Sequence, residues 1–304
     1  MEYCLTADGL SKKYRKYLAL DGVNMRVPQG AIYGLVGKNG AGKTTLIRII
    51  CGLQSPTIGT YSIFGAPYTG KEIYSARRRM GGIVESPALY GSMSAKDNLK
   101  QQFLLLGKPS FDGIDKLLEM VDLKDTGKKP IRNFSLGMRQ RLGIAMALAS
   151  DPDFVVLDEP INGLDPQGIV EIREIILKLN KERNITFLIS SHILDELSKI
   201  ATHYGFIDKG KILKEITKDQ LEDSLKKRIV FKVDTAVELC SALDKTHLQY
   251  KLTSPTEGEL YGEISISALS DILKCHGITL IKVSEKDETL ESYYINLLGG
   301  ESND

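Results

Sequence analysis

The 304-residue sequence contains no tryptophan and only four cysteines, Cys4, Cys51, Cys240 and Cys275. None of the cysteines forms a CxxC pair, and the four histidines stand at no zinc-site spacing from them, so neither a disulfide framework nor a structural zinc site is expected. A reduced, cytosolic chain is the plain reading. No stretch approaches the roughly 18 apolar residues that cross a bilayer, so any membrane role requires another chain. Met1-Glu2-Tyr3-Cys4-Leu5 lacks the basic-then-apolar pattern of a secretory signal. Heptad runs, long internal repeats and low-complexity tracts are missing too. The formal net charge is only +1, which gives the whole chain no basic field for nucleic acid. That charge is uneven, net +6 over 1–205 and net −5 over 206–304, which hints at a second module.

What is present is an ordinary globular balance, 42% hydrophobic and 26% charged, on a length that suits one large domain and one small one. Short strands are expected at 3–7, 18–27, 61–64 and 80–84, and a buried strand at 31–36. Helical periodicity runs over 43–53. Residues 86–150 carry helical patterns at 96–107, 112–121 and 136–150 and no convincing strand. Strands return at 154–157, 186–190 and 204–208, with helices at 166–180 and 193–201 between them. Alternating strands and helices imply a mostly parallel sheet, here with a helical block inserted at about 86–150. From 226 the order becomes strand (229–233), helix (236–245), strand (249–253), strand (261–265), helix (268–275), strand (279–284), which suggests a small ferredoxin-like α+β unit. A final helix is expected at 287–298 and disorder at 299–304. The domains are therefore placed at 1–225 and 226–304.

Gly37-Lys38-Asn39-Gly40-Ala41-Gly42-Lys43-Thr44 fits the phosphate-loop pattern GxxxxGK[ST] at every fixed position, with a buried strand before it and a helix after it. Its glycines let successive N–H groups point inward at phosphate oxygens, and the helix N-terminus adds partial positive charge. Lys43 reaches β- and γ-phosphates there, and the Thr44 hydroxyl takes one place on Mg²⁺; Thr45 follows on the same turn. A second signal is the apolar run 154–157 ending in Asp158-Glu159. Adjacent acids at the end of a buried strand need a reason, because isolated buried charge is costly. Strand alternation aims Asp158 at the Mg²⁺ shell and Glu159 at the γ-phosphate, where it polarises an attacking water. His192, just past the strand at 186–190, is placed to bond the γ-phosphate. His203, His247 and His276 are read as structural or surface residues.

The ordered set of phosphate loop, Ser135-Leu136-Gly137-Met138-Arg139-Gln140-Arg141, Asp158-Glu159, Gly163-Leu164-Asp165 and His192 resembles the ATP-binding subunit of ABC transporters, over about 70 percent of the chain, from residue 3 to 216. The resemblance implies a P-loop NTPase fold with an inserted helical subdomain, and ATP with Mg²⁺ as ligands. Tyr14 takes the adenine-stacking position, with Tyr17 as runner-up. Ser135 and Gly137 are retained from the usual Leu-Ser-Gly-Gly-Gln signature, whereas Leu136 and Met138 depart from it. Asp165 matches the loop that crosses between subunits. The implied unit is a head-to-tail pair, of two copies or of related chains, in which each ATP lies between one chain's phosphate loop and the other's signature. It drives a separate integral membrane permease and sits peripherally on the cytoplasmic face of the cell membrane, touching the membrane only through that permease. Glu85 replaces the glutamine usual at its position, where the side chain meets Mg²⁺ and the attacking water. With this signature, Glu85 resembles the branch that exports bacitracin and lantibiotics, often for self-protection. ABC ATPases that act on nucleic acid or ribosomes generally carry two ATPase domains or a long coiled coil; this chain has neither, and no nucleic-acid partner is expected. The surface at 86–99, including Leu89, Tyr90 and Met93, matches the family's permease-docking region. Arg77-Arg78-Arg79 reads as a solvated helix face. The unit from 226 on carries no catalytic constellation.

Overall fold

A computed structural model describes residues 2–225, 228–246, 248–262, 264–286 and 290–299. Two compact units divide after Lys218; strand β10 (Lys211–Thr217) pairs antiparallel with β9 (His203–Asp208) and belongs to the first.

The first unit opens with a long hairpin, β1 (Tyr3–Tyr14) and β2 (Tyr17–Pro28). Both strands run further than their hydrophobic pattern indicates, up to a tip where Tyr14 faces Tyr17 and Arg15 adopts a positive φ of 50°. With β4 (Ile58–Ile63) and the short β5 (Ala66–Pro67) they form an antiparallel sheet in the order β2-β1-β4-β5. A second sheet has the order β10-β9-β3-β8-β7-β6, built on β3 (Ile32–Val36), β6 (Met80–Ile83), β7 (Phe154–Asp158) and β8 (Thr186–Ser191), and all its pairings except β9–β10 are parallel. Helix α1 (Lys43–Ile50) buries Leu46, Ile47, Ile49 and Ile50 in one core with Leu5, Leu10 and Met25 of the first sheet and Phe154, Val156 and Leu188 of the second. A helix apolar around most of its circumference is one covered on more than one side, and here it lies between two sheets.

Between the adjacent strands β6 and β7 the chain makes the expected helical excursion: α3 (Ala95–Leu105), α4 (Ile114–Met120) and α5 (Leu136–Leu148). Small helix α2 (Ile73–Arg78) precedes β6. The arginine run ending α2 is tied down: Arg77 donates to the Tyr61 hydroxyl at 2.6 Å, and Arg79 pairs with Asp153 and lies 3.9 Å from the centre of the Phe64 ring. After β7, α6 (Pro166–Arg183) runs to an Asn184 cap in the left-handed region, and α7 (Leu194–Ser198) follows β8.

The second unit begins in α8 (Lys218–Ser224) and has the order β11 (Arg228–Val233), α9 (Leu239–Asp244), β12 (Gln249–Ser254), β13 (Glu257–Tyr261), α10 (Ile266–Lys274), β14 (Leu280–Lys286), then α11 (Leu290–Gly299). Its antiparallel sheet, β12-β13-β11-β14, has the ferredoxin-like βαββαβ order. The strand expected at 261–265 is displaced: Ser254 pairs with Glu257 across a two-residue turn, so β13 starts directly after β12, and Ser265 is instead the cap of α10, accepting from the Ala268 amide at 3.2 Å. The polar Glu257 and Glu259 hide β13 in a pattern reading. His247, residues 287–289 of the last expected helix and residues 300–304 lie outside the described residues. Among the described residues no helix is long and apolar enough to cross a membrane.

Candidate nucleotide site

The parallel strands bring their C-terminal ends to one edge, and the motif residues sit there. β3 is buried throughout and delivers the loop 37–42. At Gly37 a side chain is excluded, because a Cβ would lie 2.5 Å from the Ile207 carbonyl oxygen. Gly42, at φ 111°, opens α1 and would set a Cβ 2.8 Å from the Ala19 carbonyl oxygen. Lys38, Asn39 and Gly40 are exposed and Ala41 is buried; the loop closes through Ala41 N–H donating to the Lys38 carbonyl at 3.1 Å. Lys43 is 95% buried, a rare position for lysine, and it is paired: its ammonium donates to the Gly37 carbonyl at 2.5 Å and lies 3.1 Å from Glu159 Oε1. Thr44 and Thr45 stand half-buried in the same first turn.

β7 supplies both acids. Asp158 is buried, with its Oδ1 accepting from Ser190 Oγ at 2.5 Å. Glu159 leaves the strand at φ 50°, and its amide donates to the same Ser190 oxygen at 2.9 Å. One fully buried hydroxyl on neighbouring β8 therefore fixes both acids. Sequence reading passes over Ser190; the Ser190-Ser191 pair directly before His192 is the signal that was available. Glu159 is shared: Oε1 faces Lys43, and Oε2 lies 2.8 Å from His192 Nδ1. Two groups from separate segments, the Lys43 ammonium and the His192 ring, thus converge on one carboxylate.

Thr44, Glu85, Asp158, Glu159 and Asn162 line a cleft of about 520 Å³, which is walled across by Leu136, Arg139 and Gln140 of α5. Glu85 has φ 66° and an exposed side chain bonded to Arg48 of α1. Ser135 caps α5, accepting from the Met138 amide at 3.2 Å, and the backbone at Gly137 is open, with nothing closer than 3.9 Å to where a Cβ would stand. Asp165 caps α6, accepting from the Gly168 amide at 2.9 Å. Tyr14 is at the hairpin tip, its hydroxyl on Gln54 and its ring 5.3 Å below the Lys12 ammonium; Tyr17 beside it is more exposed. Tyr14, Ser135 and Asp165 make none of these contacts with Lys43, Glu159 or His192.

Residues 20–162 match the ABC transporter family. Over 99% of both chains the sequence is 40% identical to the bacitracin transport ATP-binding protein BcrA of Bacillus licheniformis. The chain belongs to the ABC transporter ATP-binding family. It is also 44% identical to the lantibiotic transport ATP-binding protein SrtF of Streptococcus pyogenes, which 75% of this chain matches over 98% of that protein. Among solved structures, cbiO1 of Clostridium perfringens, part of the transporter complex cbiONQ, superposes with a TM-score of 0.65 at 27% identity, covering 73% of this chain and 92% of that one. The chain is accordingly an ATP-binding ABC ATPase, homologous to bacitracin and lantibiotic transport subunits. Membership implies a membrane permease partner and a dimeric working unit.

Proposed function

We propose that this subunit hydrolyses ATP at the Lys43–Glu159–His192 array, and that it works as a head-to-tail pair which drives export of a peptide antibiotic of the bacitracin class through a separate permease. The observation that carries the chemistry is Glu159 held between Lys43 and His192 at the end of β7. In this reading the Lys43 ammonium takes β- and γ-phosphate oxygens, and the amides of residues 38–42 take the rest of the polyphosphate. Glu159 orients a water and accepts its proton, while His192 fixes the glutamate from its far side and meets the γ-phosphate. Asp158 and the Thr44 hydroxyl border one cleft and are hard oxygen donors. They suit Mg²⁺, which binds through one or two protein groups and draws its other ligands from water and phosphate. Mg²⁺ held there neutralises charge on the transferred phosphoryl group.

The exposed Ser135 cap, the open backbone at Gly137 and Asp165 supply the facing wall of the other subunit's site, where a helix N-terminus favours an anion. Tyr14 stacks on adenine. An adjoining groove of about 1230 Å³, bordered by Tyr74, Leu89, Tyr90 and Leu105 together with Arg78 and Gln102, suits a segment of the permease, through which the chain would sit peripherally on the cytoplasmic face. The bacitracin relative matches this chain over its whole length whereas the lantibiotic relative matches three quarters of it, which favours a bacitracin-like cargo. A tagged chain recovered from native membranes tests the assembly. A co-purifying polytopic membrane protein supports it; recovery of ribosomal or nucleic-acid components alone would overturn it.

A further inference from the structure

The cleft poses an electrostatic problem. Glu85, Asp158 and Glu159 all line it, and a polyphosphate brought against three carboxylates is repelled. Asp158 is fixed by Ser190, and Glu159 is balanced by Lys43. Glu85 is neither buried nor bonded to those groups. Its one ion pair among the described residues is with the Arg48 guanidinium. Arg48 stands one turn beyond Thr44 on α1, and residues four apart share a helix face. Glu85 also holds a left-handed backbone, φ 66°, uncommon for a residue with a Cβ.

We infer that Arg48 is the dedicated counter-ion of Glu85: it holds that carboxylate against α1 and cancels its charge toward bound nucleotide, so that the pair stands in for one neutral side chain. Arg48 is thus a positioning residue, acting through Glu85. The inference rests on the reading that this cleft holds ATP. An arginine in the last turn of α1 also complements the helix dipole, but that role is indifferent to residue 85, which separates the two roles by experiment.

The test is equilibrium titration of the full chain with a fluorescent ATP analogue in EDTA, where only protein charge meets the phosphates. Arg48→Gln frees Glu85 and weakens binding by roughly three- to tenfold, the scale of one unscreened charge across a wet cleft. Glu85→Gln binds at least as well as wild type, and Arg48→Gln/Glu85→Gln returns to within about twofold of wild type, a non-additivity expected of partners in contact. Wild-type affinity in Arg48→Gln overturns the inference, and so does a double variant as weak as Arg48→Gln. Should Arg48→Gln fold poorly, the Arg48→Ala and Arg48→Ala/Glu85→Ala pair gives the same comparison. Failure of the wild-type chain to bind the analogue even with Mg²⁺ added would instead sink the nucleotide reading of the cleft.

Discussion

At the scale of single residues, the proposed chemistry turns on Glu159. Glu159→Gln preserves the side-chain shape and removes the proposed base. It should retain ATP binding while turnover falls by about a hundredfold or more, the size of a general-base contribution, as read by phosphate release against nucleotide titration. Ser190→Ala removes the hydroxyl that serves both acids. It should lower turnover with a smaller effect on affinity and destabilise the chain by about 1–3 kcal/mol, the penalty for orphaning buried polar groups, in a urea melt. Thiol chemistry offers an independent check on burial. Burial pushes the Cys4 and Cys51 thiols up to about 12, with the Asp158 charge adding to the effect at Cys51. Cys240 and Cys275 are exposed. Since the thiolate is the reactive form, native protein near pH 7.5 should show two fast-reacting thiols with a maleimide and four after denaturation; three or four fast thiols in the folded protein would contradict the described packing.

At the scale of elements, much of the fold was legible because its period is strong. The buried runs at β3, β7 and β8 and the glycine-rich loop between β3 and α1 announce themselves through hydrophobicity and backbone chemistry. So does the strand-free block that became α3 to α5. β10 and β13 were not legible. Lys211, Lys214 and Glu215 make β10 a polar edge strand, and β13 alternates glutamates with Gly258 and Leu260. The motif residues were found where the chemistry demands a residue type at a fixed spacing. Ser190 was missed because a serine on a strand carries no spacing signal of its own, and Arg48 because its meaning depends on Glu85, distant in sequence. Asn98 shows the same limit: wholly buried, it donates to the Ser94 carbonyl at 2.9 Å and accepts from the Tyr90 amide at 2.8 Å, tying the loop beside the larger groove to α3. Asn98→Ala should destabilise the chain by about 1–3 kcal/mol in denaturant; an unchanged midpoint would mean that the loop is held by other contacts.

At the scale of the whole molecule, Lys43, Glu159 and His192 come together within one chain, while Ser135 and Asp165 make their capping bonds elsewhere. The proposed head-to-tail pair, in which a second copy completes the site, would account for that division and couple nucleotide to assembly, with ATP favouring the closed pair and hydrolysis releasing it. The most direct test is the molar mass of Glu159→Gln by light scattering, with and without ATP and Mg²⁺. A mass that doubles only with nucleotide is the expected result. A mass that stays monomeric at saturating ATP, in a variant shown to bind it, would contradict the shared-site account.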